Sequence, residues 1–321
     1  MPLQTRLTDA LGIEHPILLA PMDLVASGQL AAVVSRAGGL GLIGGGYGNA
    51  EWLEQEFAAA GNAKVGCGFI TWSLARKPEL LDLVLRYQPV AVMLSFGDPT
   101  PFASKIKESG AKLICQVQSL AQAKEAAAAA ADILVAQGTE AGGHGVTRTT
   151  LTLVPEIVDA FPGVPVVAAG GIADGRGLAA VLMLGADGAL MGTRFYASQE
   201  AQGHPEAKQR IIEARGDDTL RSIVFDISRR NIWPQPYTGR VIRNAHAGRW
   251  YGHEAELLEH QHEEAQRYTE ARERGDFDVA AVIAGEAVAL IHSAPPAAEI
   301  VDRIILEAEA RLARGTRLIV S

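Results

Sequence analysis

Gln137-Gly138-Thr139-Glu140-Ala141-Gly142-Gly143-His144-Gly145 gathers an amide, a carboxylate, paired glycines and an imidazole directly after the apolar run Ile133-Leu134-Val135-Ala136. A buried strand that ends this way gives up packing for backbone access. Glycine lets a planar ligand lie against the main chain and takes dihedrals closed to other residues. Histidine carries a proton that exchanges near neutral pH. The pattern predicts a catalytic histidine, His144, at a strand exit; a histidine bonded only within its own loop is the blander alternative.

A second set of groups suits an anion. Gly170-Gly171-Ile172-Ala173-Asp174 runs straight into a helical pattern, and Met191-Gly192-Thr193-Arg194 offers further amides and a hydroxyl. Backbone N–H groups at a helix start bind phosphate well, so these two segments predict a phosphate-bearing cofactor. Gly39-Leu40-Gly41-Leu42-Ile43-Gly44 formally matches a dinucleotide-binding fingerprint. That motif should follow a strand and open a helix. Here the glycines straddle the strand, so the match is taken as accidental, and the glycine-rich exit to Tyr47-Gly48 is ascribed to close approach of a flat ring. Tyr47 and Trp72 are candidates for the pocket wall or for packing, and Arg229-Arg230 is a charge pair with no inferred task. His253, His260 and His262 lie in a charged stretch where a solvated helix face is expected and metal ligation is not.

The elements that would position these groups alternate regularly. Eight apolar runs read as strands: His15–Met22, Leu40–Gly45, Lys64–Ile70, Pro89–Phe96, Lys112–Val117, Ile133–Gly138, Pro165–Gly171 and Gly188–Phe195. Between them lie helical patterns such as Leu120–Ala131 and Asp174–Leu184. Continuous apolar strands alternating with helices indicate a parallel sheet covered on both faces. Eight of them predict an α/β fold that closes as a (β/α)8 barrel, with its chemistry at the C-terminal strand ends. Residues 198–274 break the rhythm, rich in charge and including the helix-like His253–Arg274. They are expected to form a helical cap inserted after strand 8 over the barrel mouth. An apolar stripe over Asp278–His292 and an amphipathic helix over Ala297–Ala313 would return to the barrel, giving domains 1–197 plus 275–321 and 198–274.

Composition narrows the partners. A net charge of −8 over 321 residues disfavours nucleic acid and anionic membranes. No run approaches the length of a membrane span, and the N-terminal stretch lacks the pattern of a secretory signal. Two cysteines, Cys67 and Cys115, sit inside apparent strands and read as reduced, buried thiols of a cytoplasmic protein. No metal site is expected.

Ala20-Pro21-Met22, Gly39-Leu40-Gly41, Gln137 to His144, Ala169-Gly170-Gly171-Ile172 and Met191-Gly192-Thr193-Arg194-Phe195 together resemble the nitronate monooxygenase family, formerly the 2-nitropropane dioxygenases. The resemblance runs over roughly Leu7 to Phe195, with weaker support from Pro236-Tyr237-Thr238-Gly239-Arg240. It implies an FMN-dependent TIM barrel with a helical cap that oxidises alkyl nitronates, such as propionate 3-nitronate, with O2 to carbonyl compounds and nitrite. By the same resemblance, Ala20, Pro21 and Met22 would contact the flavin ring, and Thr71 and Gln116 the ring or ribityl chain. Gln137, Gly142 and Gly143 would border the flavin, while Gly170, Gly171, Gly192 and Thr193 would hold its phosphate. His144 would be catalytic, as imidazolium binding the anion or as imidazole removing an α-proton. The implied partners are the small nitronate and O2, with a homodimer admissible as the assembly. The alternative is an NAD(P)H-dependent flavin reductase of the quinone or enoyl-ACP type, and a third reading is a catalytically idle flavin sensor.

Overall fold

The computed structural model describes residues 3–231 and 233–315, so the ends of the expected barrel ranges, 1–2 and 316–321, lie outside the described residues. Eight parallel strands form one sheet. They are β1 Ile17–Leu19, β2 Leu42–Gly46, β3 Gly66–Ile70, β4 Ala91–Ser95, β5 Lys112–Val117, β6 Ile133–Gln137, β7 Val166–Ala169 and β8 Gly188–Met191. Their order is β1-β8-β7-β6-β5-β4-β3-β2. A parallel bridge between Leu18 and Leu40, just ahead of β2, joins the two edges and closes the barrel. Every expected strand is present. The final one ends at Met191, because Thr193–Tyr196 turns into a short helix.

Alternation along each strand decides which side chains face inward. Leu18, Leu42, Met93, Ile114, Ile133, Val135, Val167 and Leu190 form the barrel interior, with Leu7 and Leu11 packed against them. Their neighbours Ile17, Leu19, Ile43, Cys67, Phe69, Val92, Leu94, Cys115, Leu134 and Ala168 belong to the layer beneath the helices. Two residues beyond the inward Ile114 and Val135 stand Gln116 and Gln137. The same parity that buries the aliphatics therefore aims these two amides into the upper end of the barrel.

The helices follow local signals. Ser119 accepts the Gln122 amide and opens Leu120–Ala128, and the alanine run then stops because Ala130 takes a left-handed φ of 57°. Asp174 caps Gly175–Met183 by accepting from Arg176 and Gly177. The closing helix Ala297–Gly315 packs on Gly175–Met183 so closely that a Cβ at Gly175 would lie 2.4 Å from the Ala308 nitrogen. It completes the helical ring.

The insertion and the stretch that follows it depart from expectation in three ways. It is not purely helical: Thr219–Ser222 and Thr238–Ile242 pair antiparallel, and the second strand also pairs with Gly143–Gly145. His253–Arg274 is two helices, Glu254–Glu259 and Gln261–Arg274, broken at His260. Asp278–His292 holds only a 3-10 turn at Glu286–Leu290. Its carbonyls go to distant donors instead of helical amides: Asp278 accepts the His246 amide, Ala280 accepts Asn244 Nδ2 and Val282 accepts the Ile242 amide. Val279, Val282 and Val288 from this stretch share a second core with Phe225, Val241 and Tyr268 of the cap.

Candidate active site

A cavity of about 380 Å³ opens at the C-terminal end of the barrel. Ala20, Pro21 and Met22 line it from the β1 exit, Gly68 and Ile70 from β3, Met93 and Ser95 from β4, and Gln116 and Gln137 from β5 and β6. Gly142, Gly143 and His144 close one side, and Arg229, Trp233, Tyr268 and Arg272 approach from the cap.

His144 sits in the Gly143–Gly145 strand, opposite Gly239 of the cap. Its Nε2 lies 3.0 Å from each carboxylate oxygen of Asp226. Both residues are buried. The indole of Trp233 stacks on the imidazole, with centroids 3.4 Å apart and planes within 6°. Burial pushes the His144 pKa below its ordinary value, while Asp226 pulls it back. Because Nε2–H is donated to Asp226, the ring's lone pair falls on Nδ1.

The loop that carries His144 is held by charge from the cap. Arg221 donates to the carbonyls of Thr139, Ala141, Gly143 and Thr238. Burial lowers its pKa to about 10, still charged at neutrality. Arg240 donates to Thr139 as well, and pairs with Glu286 at 2.9 Å. From below, Gln137 Nε2 donates to the His144 carbonyl, and Gln137 Oε1 accepts from Gln116 and Gln118. Glu140 is occupied in accepting the Thr150 amide and hydroxyl, so it is a loop tie and not a proton donor to substrate.

Several sequence expectations are revised. The glycines at the β2 exit do not make room for a ring. A Cβ at Gly44 would lie 2.1 Å from the Met22 carbonyl oxygen, and one at Gly46 would lie 1.8 Å from the Asp23 carboxylate. The space is filled by the β1 exit loop, and Gly46 takes φ of 46° to admit Asp23. The helix start after β7 is not open to phosphate. Its amides at Arg176 and Gly177 are taken by Asp174, and that at Gly175 by Glu307. Two carboxylates there repel an anion. Thr71 does not line the cavity; alternation turns Ile70 inward instead, and Thr71 is buried. Gly170, Gly171, Gly192 and Thr193 also lie outside the cavity lining. Gly192 faces Ala20 and Met22, and Gly170 tucks under the Gly138–Ala141 turn.

Sequence reasoning missed Asp23, Asp226 and the role of Arg229. Asp226 is 82 residues from His144 in the chain. The signal available was only an acidic residue next to buried apolar neighbours in Ile223-Val224-Phe225-Asp226-Ile227. A second buried set, Ser228, His246 and Glu264, resembles a hydrolytic triad, with Ser228 Oγ 2.8 Å from His246 Nε2. All three are buried within the cap core, and the Ser228 hydroxyl donates to the Val224 carbonyl, so no substrate reaches them.

Comparison with known proteins agrees with this geometry. Residues 4–65 and 70–307 match the nitronate monooxygenase family. The chain belongs to the nitronate monooxygenase family. It is 34% identical to a nitronate monooxygenase of Neurospora crassa, over 93% of this chain and 90% of that one. The structure of FabK from Thermotoga maritima superposes with a TM-score of 0.86 at 32% identity, covering 98% of this chain and 99% of that chain. Nitroalkane oxidase from Streptomyces ansochromogenes superposes with a TM-score of 0.83 at 26% identity, covering 97% and 99%.

Family membership implies a flavin, and the residues present fit one. The cavity runs from the β1 exit at Ala20–Met22 to the inward amides Gln116 and Gln137. Thr193 Oγ1 already accepts the Gly285 amide at 3.0 Å, which leaves its proton to donate to an anion. No helix among the described residues is long and apolar enough to cross a membrane.

Proposed function

We propose that this chain oxidises alkyl nitronates of the propionate 3-nitronate type with O2, releasing a carbonyl compound and nitrite, with FMN as its cofactor. The observation that carries the reading is the buried His144–Asp226 pair at the edge of a flavin-sized cavity in a member of this family. When bound, FMN would supply the electron-accepting ring. Ala20–Met22, Gln116, Gln137, Gly142 and Gly143 would hold the ring, and the loop residues Gly170 and Gly171, ahead of the closed helix start, would hold its phosphate together with Gly192 and Thr193.

The chain's own residues then do three things. Where the substrate arrives as the neutral nitroalkane, His144, neutral at pH 7 and with its Nδ1 lone pair left by the bond to Asp226, first removes the α-proton to give the nitronate. The imidazolium so formed stays paired with Asp226 and holds the nitronate oxygen. Trp233, Phe96 and Tyr47 wall the site with aromatic edges, and the cap, residues 198–274, keeps water from the reacting carbon. Burial raises the pKa of Cys115 to about 12 and that of Cys67 still further, so both thiols stay protonated and inert, in keeping with a cytoplasmic enzyme.

The test is oxygen uptake by the flavin-loaded protein given propionate 3-nitronate, with no NADH or NADPH present. Rapid uptake with nitrite release supports the reading; no uptake overturns it for this substrate. A second reading, an NAD(P)H-dependent flavin reductase acting on a quinone or enoyl thioester, is favoured by the apolar rim of the cavity. Leu24 and Ile283 are 37% and 40% exposed there. NADH oxidation driven by such an acceptor, without nitronate turnover, would select it.

A further inference from the structure

Resting on the nitronate reading above, we propose that Arg229, seated on Tyr47 and backed by Arg272, receives a second anionic group of the substrate. That group is a carboxylate joined by a short alkyl linker to the carbon that meets His144.

One short helix, Val224–Ser228, places both ends of this arrangement. Asp226 meets His144, and Arg229 follows at the helix C-cap. Arg229 Nη2 donates to Tyr47 Oη at 3.0 Å, and its guanidinium carbon lies 5.8 Å from the Tyr47 ring centroid. Trp233 Nε1 donates to the same oxygen at 2.9 Å while its ring stacks on His144. The imidazole thus lies on the face of the indole whose Nε1 shares the Tyr47 hydroxyl with the guanidinium, and His144, Tyr47, Arg229 and Trp233 all line one cavity. One substrate in that cavity can reach both His144 and Arg229.

Arg229 lines the cavity without a direct protein ion pair. Among the described residues no carboxylate comes within ion-pair distance of Arg229 or Arg272, whereas Arg6, Arg176, Arg210 and Arg240 all have such partners. Asp226 is committed to His144. Asp23 lines the same cavity and feels both arginines, although burial raises its pKa, and it makes an ion pair with neither. A guanidinium carries five N–H donors, and one of those on Arg229 goes to the Tyr47 hydroxyl. Burial opposes the Arg229 charge, but Tyr47, Tyr268 and Asp226 outweigh it and raise its pKa, so the guanidinium stays charged and can offer its other donors to a ligand carboxylate. The planar fork matches a carboxylate in bidentate geometry. His144 does other work: its Nε2–H goes to Asp226, which leaves its Nδ1 for the reacting nitro group.

The experiment compares flavin-loaded wild type on propionate 3-nitronate and on 1-butyl nitronate, which has a similar chain and no second charge. A charge-assisted bidentate contact predicts a kcat/KM preference of roughly 10- to 100-fold for the carboxylate. Arg229→Met should remove most of that preference, and Arg229→Lys should restore part of it by returning charge without the fork. Calorimetric titration with succinate, which needs no turnover, should show a Kd raised by a similar factor in Arg229→Met. Equal kcat/KM for the two nitronates in wild type overturns the proposal. So does a preference, or a succinate affinity, that survives in a folded Arg229→Met protein. Turnover of neither nitronate instead sinks the nitronate reading, and the succinate titration then judges the anion site by itself.

Discussion

Replacing Asp226 by Asn tests the proton chemistry most directly, because the substitution keeps shape and removes one charge. Each Asp226 oxygen is 3.0 Å from His144 Nε2, and the side chains are only 5% and 8% exposed. Solvent screening is therefore weak. A hydrogen bond to a charged partner is worth about 1.5–3 kcal/mol, which corresponds to a rate loss of roughly 10- to 150-fold if it acts on the transition state. Asparagine also withdraws the anion that supports imidazolium, so the His144 pKa, already lowered by burial, should fall further. The active base is the neutral form. Wild-type activity on a nitroalkane should rise with pH through an inflection below the ordinary histidine value, and Asp226→Asn should move that inflection to lower pH while reducing the plateau. Steady-state oxygen uptake across pH 4.5 to 8 on the flavin-loaded enzyme, roughly spanning the range in which histidine titrates, measures both quantities. An unchanged plateau and inflection in a folded variant would refute the claim that Asp226 positions and charges His144.

Three further outcomes follow from the same geometry. Arg221→Met removes the donor to the carbonyls of Thr139, Ala141, Gly143 and Thr238, and should lower stability by about 2–4 kcal/mol in urea unfolding while weakening flavin retention. Gly44→Ala places a Cβ 2.1 Å from the Met22 oxygen, so the β1 exit loop must shift; a cost of about 1–3 kcal/mol and a lower flavin content after gel filtration are expected. Burial pushes His246 from 6.5 down to about 4, so the unfolded chain binds the extra proton between those values. Its contribution to stability is complete above that window and is lost as pH falls through it. The urea midpoint should therefore drop more steeply from pH 7 to 4.5 in wild type than in His246→Gln, those limits being chosen to span roughly the same histidine titration.

How much of this was legible in the chain depends on how local the cause is. Strand identity, inward alternation and the exit position of Gln116, Gln137 and His144 follow from period-two patterning and glycine placement within a few residues. The helix starts at Ser119 and Asp174 were equally readable, since a cap acts over three residues. The His253–Arg274 break was not, and neither was the irregular Asp278–His292 stretch, where donors from distant segments take the carbonyls that helical amides would need.

The barrel, its chemical end and one catalytic candidate depend on backbone period and on residues adjacent in the chain, so they can be read before folding is considered. What surrounds that candidate is set by contacts between distant segments. The pairing of Gly143–Gly145 with Thr238–Ile242 brings Asp226, Arg221 and Trp233 to His144 across more than 75 residues of chain. It also assigned the β2 glycines to the Asp23 loop and closed the helix start after β7 to phosphate. Such matters depend on which distant atoms already occupy a space or a hydrogen bond, and that competition exists only once the chain has folded.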